Sequence, residues 1–338
     1  NTEKWDEHRL TTWFDVFLPT LNLEKQEVTE MLSDSALYWL KTYDIDGFRH
    51  DATKHIPKIF WRTLTKKVRK YEQKRGEPVF QIGETYGTPE LINSYLGTGM
   101  LDGQFDFNVY DALLSSICRK DVGFEVVQQR LSQSFDYYGQ HNLMGYMTGN
   151  QDKPRFMAMA TGDVKFDEDA KYAGWSRNIQ KKTDTGYKKL AMMHAILQTI
   201  PGIPVSYYGD EIGLTGGNDP DNRRDMKFDK LTQKEAGLRK KVGELTKLRR
   251  SHLAFLYGDF NFLENKGDFL AYTRQFFHSF GLVIVNNSDQ EKKFTFDLPQ
   301  GLNKQQLQAL NRTKFEKNGG KIVITLPPYS FEIIHTAH

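Results

Sequence analysis

Three acidic residues stand where short apolar, strand-like segments end. Asp51 closes Gly47-Phe48-Arg49-His50-Asp51, Glu84 closes Gln81-Ile82-Gly83-Glu84, and Asp152 follows Asn150-Gln151. One such carboxylate is more often a surface group or a helix cap; three at successive strand ends point to a shared site. Arg49 lies two residues before Asp51 and shares its face of an extended strand. A cation there keeps the aspartate ionised and fit to act as a nucleophile. Glu84 follows an apolar strand, and burial beside an ionised aspartate raises a glutamate's pKa, which suits a general acid near neutral pH. Two carboxyl groups in different protonation states are what cleavage of a glycosidic bond requires; in the retaining version they lie about 5–5.5 Å apart. His50, Lys54 and His55 cluster around Asp51. A metal reading would pair the two histidines with Asp51, but the intervening lysine and the strand-end geometry oppose it. Polar groups for ligand hydroxyls fit better, and no metal is assigned.

The elements that must position these residues alternate. Helix-like Val28 to Tyr43 leads into Ile45 to Arg49; helix-like Ile59 to Tyr71 precedes Val79 to Ile82. Further strands are expected at Gly103 to Val109, Asn142 to Met147 and Val205 to Tyr208, with helices over Gly186 to Ile200 and around Leu238. Strands alternating with helices imply parallel pairing and right-handed crossovers. A doubly wound sheet fits the alternation too, but no Gly-rich phosphate turn follows any strand. In parallel barrels the C-terminal strand ends are where reacting groups converge. Past residue 255 the segments Phe269 to Phe276, Gly281 to Val285, Lys293 to Leu298 and Lys321 to Leu326 are short and β-rich, and Tyr329 to Ile334 closes the chain similarly. We read residues 1–254 as part of a (β/α)8 TIM barrel, a mixed α/β fold, and 255–338 as an antiparallel β-sandwich domain.

Bulk properties narrow the partners. With 46 basic and 43 acidic residues the net charge is +3, so no one-sided field draws nucleic acid or a membrane surface. The basic run Arg239, Lys240, Lys241, Lys247, Arg249 and Arg250 alternates with Leu238, Val242, Leu245 and Leu248 at helical spacing and reads as a solvated helix face. No apolar run is long enough for membrane insertion. Cys118 is the one cysteine, which leaves the redox compartment open.

At these residues the sequence resembles glycoside hydrolase family 13, the α-amylase family. Gly47-Phe48-Arg49-His50-Asp51-Ala52-Thr53-Lys54-His55 is similar to that family's second conserved stretch, Ile82-Gly83-Glu84-Thr85 to its third, and Gly149 to Phe156 to its fourth. Gly202 to Glu211 is similar to the stretch at the eighth barrel strand. Leu18 to Asn22 and Asp219 to Arg224 resemble the neopullulanase and cyclomaltodextrinase branch. The resemblance implies a retaining hydrolase of α-1,4, and as a further option α-1,6, glucosidic bonds in starch, pullulan, cyclodextrins or maltooligosaccharides. It casts Asp51 as nucleophile, Glu84 as acid/base and Asp152 as the group holding sugar hydroxyls. Arg49 would orient Asp51, Lys54 and His55 would line the leaving-group side, Arg155 the opposite side, and Tyr86 and Gln151 would meet sugar.

Two departures stand out. Gln151 takes the place of the family histidine before the third acid; it can donate a hydrogen bond but cannot become cationic. The family's first conserved stretch and the first three barrel strands find no counterpart, so only about strands 4 to 8 are expected here. The remainder would come from the rest of the gene product or a partner chain, and residues 1–338 alone are expected to be inactive. The chemistry needs no cofactor. Structural calcium is common in the family, but the ligands are not supported here, since Arg223 stands where Asp219-Pro220-Asp221-Asn222 would need another oxygen. The resemblance places such enzymes in the cytoplasm or the periplasm, and the periplasmic or secreted setting is favoured. A transglycosylase or isomerase with the same acids, or a catalytically silent glucan-binding relative, are the alternatives.

Overall fold

Helix α1 (Gln26–Tyr43) forms because Thr29, Ser33, Leu37 and Leu40 recur at spacings of three and four and turn one stripe inward. The computed structural model describes residues 4–299, 302, 307–318 and 320–337. Strand β1 (Gly47–His50) follows, then helix α2 (Lys58–Arg75), which buries Phe60, Trp61, Leu64 and Val68. That face contributes roughly 6–12 kcal/mol of gross apolar burial, most of it offset by chain ordering. Gly76, at φ +82°, ends α2 and donates its N–H to Glu72 O. Strand β2 (Phe80–Gly83) pairs in parallel with β1, from Gly47 opposite Phe80 to His50 opposite Gly83. Only glycine fits at position 47, where a Cβ would lie 1.9 Å from Phe80 O.

A short helix α3 (Pro89–Asn93), capped by Thr88, leads to strand β3 (Gly103–Gln104) on the other side of β2. The strand expected over Gly103 to Val109 stops after two residues. Phe105 to Val109 alternates apolar and polar like a strand, but Val109, Tyr110, Leu113 and Ile117 are buried at helical spacing, and Phe107–Cys118 forms helix α4.

The chain divides into two compact units. The first runs to Asn108 and includes Asn142–Gly145; the second holds Val109–His141 and the chain from Tyr146. In the first, α1 and α2 pack over the β1–β2–β3 sheet around Leu37, Leu40, Trp61, Leu64 and Val68. No strand pairs with the outer edge of β1 among the described residues. Trp13, Val16, Phe17 and Leu21, and Tyr38, Trp39 and Tyr43 on α1, are exposed.

In the second unit, helix α5 (Glu125–Tyr138) precedes strand β4 (Gly145–Met147), which belongs to this unit from Tyr146 and pairs with β5 (Ile203–Val205). The strand expected over Val205 to Tyr208 lies earlier, because Tyr207 N–H leaves the ladder to donate to Thr148 Oγ1 at 3.0 Å. Between β4 and β5 run the buried turn of helix α6 (Phe156–Ala160), α7 (Ala170–Ser176), capped by Asp169, and α8 (Thr185–Thr199). Helix α9 (Gln233–Ser251) opens on a Thr232/Glu235 capping box and buries Leu238, Val242, Leu245 and Leu248. The basic run on α9 is not wholly solvated. Arg249 is buried, and its Nη1 donates to Gln198 O and Ile200 O at 3.0 Å, satisfying carbonyls at the C-terminus of α8. Among the described residues no helix is long and apolar enough to cross a membrane.

After helix α10 (Leu253–Tyr257) come β6 (Asp259–Lys266), β7 (Phe269–Phe276), β8 (Ser279–Asn286), β9 (Lys292–Asp297), β10 (Leu307–Ala309), β11 (Phe315–Asn318), β12 (Lys321–Leu326) and β13 (Ser330–Thr336). They form sheets of order β10-β13-β8-β7-β6 and β11-β12-β9, whose facing residues Phe280, Leu282, Ile284, Ile322 and Ile324 make one core.

Candidate active site

The parallel register of β1 and β2 sets the ends of the two strands side by side. Glu84 N–H donates to His50 O at 2.9 Å, and Thr53 N–H donates to Glu84 O at 2.8 Å. Thr53 Oγ1, fully buried, also accepts from Glu84 N–H at 3.0 Å. Between Asp51 and Thr53 the chain turns through Ala52 at φ +46°, a left-handed conformation costly for a residue with a Cβ. Gly83 has no room for a side chain, since a Cβ would come within 2.6 Å of Thr53 Oγ1 and Leu101 Cδ1.

Arg49 joins the two acids. Its Nη1 contacts Asp51 Oδ1 and its Nη2 lies 2.8 Å from Glu84 Oε1. The Asp51 side chain is 70% exposed and that of Glu84 12%, so one carboxylate faces outward while the other is sheltered. The two carboxyl groups are within hydrogen-bond reach of each other. Burial raises the Glu84 pKa above the usual glutamate value, Arg49 pulls it down, and the bond to Asp51 and its charge push it up again.

The other residues expected near Asp51 have different surroundings. His50 contacts Gln81 Oε1 at 3.1 Å and packs on Trp61; burial lowers its pKa to about 4, so it is neutral at pH 7. Lys54 Nζ pairs with Asp6 at 3.2 Å. His55 is buried, accepts from Trp5 Nε1 at 3.0 Å and lies edge-on to Phe14. In this structure, then, Lys54 and His55 tie down the segment from Trp5 to Phe14. Tyr86 is half exposed with its ring edge-on to Phe107.

In the second unit, Asp152 is exposed on the turn after β4. Gln151 Nε2 donates to its Oδ2 at 2.8 Å and Arg223 Nη2 lies 3.3 Å from its Oδ1. Gln151 thus spends a donor on the acid it precedes. Arg155, expected against sugar, is 2% exposed and committed inside the protein. Its Nε donates to Asn222 O at 2.7 Å, its Nη1 pairs with Asp210 at 3.2 Å, and its guanidinium lies over the rings of Tyr207 and Tyr208. Burial pushes Asp210 up to about 6 against the pull of Arg155 and of the hydroxyl of Thr148. Thr53, Asp210 and Asn222 carry no sequence signal of these roles, because each acts through partners distant along the chain.

The Asp219–Asn222 loop does not fit a calcium ion. Asp219 pairs with Arg223 at 3.1 Å and Asp221 takes a two-pronged contact from Arg224 at 2.9 Å, so both carboxylates are already neutralised. No group of three or more His, Cys, Asp or Glu side chains suited to a metal occurs among the described residues.

Parallel strands between helices, carboxylates at the C-terminal strand ends and a following sandwich define a β/α catalytic region joined to a β domain. The chain belongs to the alpha-amylase family: the profile for "Alpha amylase, catalytic domain" matches residues 1–244 and that for "Maltogenic Amylase, C-terminal domain" matches 260–333. A cyclomaltodextrinase of Geobacillus thermopakistaniensis (strain MAS1) is 27% identical over 318 residues, 93% of this chain and 49% of that relative. The crystal structure of an Anoxybacillus α-amylase superposes with a TM-score of 0.81 at 27% identity, covering 99% of this chain and 71% of that one. An α-amylase of Geobacillus thermoleovorans, solved with acarbose, shares the fold with a TM-score of 0.80 at 24% identity, over 100% of this chain and 73% of that one. The chain therefore has the family's fold, a TIM barrel followed by a C-terminal β domain, and spans about half the length or less of the curated relatives it matches.

Proposed function

We propose that the chain is part of a retaining α-glucan hydrolase. The observation that carries this is the Asp51–Arg49–Glu84 arrangement, in which one cation holds an outward-facing aspartate beside a sheltered glutamate of raised pKa. Two carboxyl groups gathered by one guanidinium fit the narrow spacing of a retaining pair better than the wider, water-holding spacing of an inverting one. In the first step Glu84 gives its proton to the glycosidic oxygen as the C1–O bond breaks and Asp51 bonds to C1. In the second step water attacks C1, giving its proton to the Glu84 carboxylate and releasing Asp51. Asp152, with Gln151 beside it, holds hydroxyls of the distorted sugar. Tyr86 offers an exposed ring to a neighbouring sugar, Lys54 and His55 line the leaving-group side through the segment they anchor, and Arg155 supports the turn of Asp152 from within.

The substrate reading is α-1,4-linked glucose in cyclodextrins, maltooligosaccharides, starch or pullulan, with α-1,6 bonds as a further capacity. It is supported by the cyclomaltodextrinase relative and by a fold relative solved with acarbose. The open edge of β1, the exposed aromatic face of α1 and the length of the relatives support a further reading. On that reading barrel strands 1 to 3 are supplied by the rest of the gene product or a partner chain, and residues 1–338 alone are inactive. The test is release of reducing ends from maltooligosaccharides by the full-length protein, with Asp51→Asn and Glu84→Gln each abolishing it. Disproportionation without new reducing ends would instead favour a transglycosylase, and unchanged turnover in either variant would refute the assigned roles.

A further inference from the structure

We infer that Asn222 is a positioning residue for Asp152, clamping the two backbone carbonyls that flank it; this rests on the reading of Asp152 as a sugar-holding acid. Asp152 lies on an exposed turn: its N–H donates to Asn150 Oδ1 at 3.0 Å and Lys153 N–H to Asn150 O at 3.4 Å, while the exposed Arg223 adds Nε to Gln151 O at 3.2 Å and Nη2 to Asp152 Oδ1 at 3.3 Å. Solvent-exposed bonds of this kind hold a turn weakly. Asn222, 71 and 69 residues further along, reaches into it. Its Nδ2 donates to Gln151 O at 2.7 Å and to Lys153 O at 2.8 Å, one carbonyl on each side of Asp152.

Asn222 is completely buried. Both hydrogens of its amide are engaged, and a flipped amide would set Oδ1 against two carbonyl oxygens, so the orientation is fixed. Its Oδ1 finds no donor among the described residues. An unpaired buried acceptor is destabilising, so the clamp is not what stability alone would select. The clamp has a rigid base. Asn222 O accepts from Arg155 Nε, Arg155 pairs with the buried Asp210, and Asp221 is fixed by Arg224 and by Gly217 N–H at 2.7 Å. A Cβ on Gly216 would lie 2.4 Å from Asp221 O, so the backbones pack directly there. A continuous chain thus runs from the Asp210–Arg155 pair through Asn222 to the carbonyls beside Asp152, and gives the burial of Arg155 a purpose.

The test compares Asn222→Ala and the smaller, uncharged Asn222→Ser with Asp152→Asn in the full-length protein, using hydrogen exchange and kinetics on maltooligosaccharides. Amides in the peptide spanning residues 149–156 are expected to exchange about tenfold or more faster in both Asn222 variants, while the global melting temperature changes little. Misplacement of the acid is expected to lower kcat by about 100-fold with a much smaller change in KM. Adding Asn222→Ala to Asp152→Asn should cost almost nothing further, because the clamp acts through that acid. Unchanged exchange at 149–156 overturns the clamp whatever the activity, and faster exchange with unchanged kcat overturns its positioning role. If Asp152→Asn is itself fully active, the assigned role of Asp152 fails, and with it the functional half of this inference. The exchange result then still decides whether the clamp exists. Should Asn222→Ala fail to fold, the Asn222→Ser pair of measurements carries the same outcomes.

Discussion

Replacing Arg49 with methionine keeps an unbranched apolar stem and removes the charge that Asp51 and Glu84 share. The contact with Glu84 is an ion pair of 2.8 Å to a side chain 12% exposed, whereas the bond to Asp51 lies on the solvent side. Only the sheltered bond should count at full strength, at roughly 1.5–3 kcal/mol. If that interaction is needed in the transition state, kcat/KM at neutral pH falls by about 10- to 150-fold. The pH profile separates this from simple misfolding. Arg49 lowers the proton affinity of Glu84 while burial and Asp51 raise it, so without Arg49 the general acid stays protonated to higher pH. The alkaline limb of kcat/KM should move upward, and the gap between parent and variant should narrow as pH rises through the parent's limb. The assay is reducing-end release by the full-length protein across pH 5 to 10 (roughly the window where enzyme and substrate stay intact), with thermal melts alongside. Parallel profiles with an unmoved alkaline limb would refute the claim that Arg49 sets the protonation of Glu84.

Gly83→Ala is expected to lower stability by about 1–3 kcal/mol, because its Cβ would meet Gln104 Nε2, Leu101 Cδ1 and Thr53 Oγ1 at 2.4–2.6 Å. A thermal melt within a degree of the parent would contradict that packing. Glu235 is buried, which alone would raise its pKa, but Lys181 at 2.8 Å, Lys227 at 2.6 Å and Thr232 N–H hold it at about 2 against an ordinary 4.5. A lowered pKa stabilises the fold above the unfolded value and ceases to do so as pH falls through the folded one, so Glu235→Gln should cost at most about 3 kcal/mol at pH 7. In urea titrations the deficit should shrink between pH 4.5 and 2, and a pH-independent deficit would exclude the linkage.

The first two acids were legible in the sequence because their positions depend on short-range rules. The alternation of Phe48 and Ile82 with glycines marks two strands, and the residue that ends each faces the same rim. The β-sandwich was legible from its period-two segments, although β6, β10 and β11 are too irregular or short to announce themselves. Phe105 to Val109 misleads because five alternating residues satisfy a strand pattern before the longer helical stripe of α4 asserts itself. Arg249 looks solvated in a basic run, yet a buried cation can be satisfied by carbonyls, and those of Gln198 and Ile200 lie about fifty residues away. Arg155 misleads for the same reason. A side chain recognised by motif reads as ligand-facing, while the hydrogen bonds that bury it come from elements that only the fold brings together.

The central claim is that Asp51 forms a covalent bond to sugar while Glu84 manages the proton. Incubating the full-length protein with a 5-fluoro α-glucosyl fluoride, which slows the second step more than the first, should allow the intermediate to accumulate. Peptide mass mapping should then find one glycosyl group on the peptide containing Asp51, lost on adding an acceptor sugar and absent in Asp51→Asn. A label on any other residue, or rapid turnover to the inverted anomer with no adduct, would contradict the account.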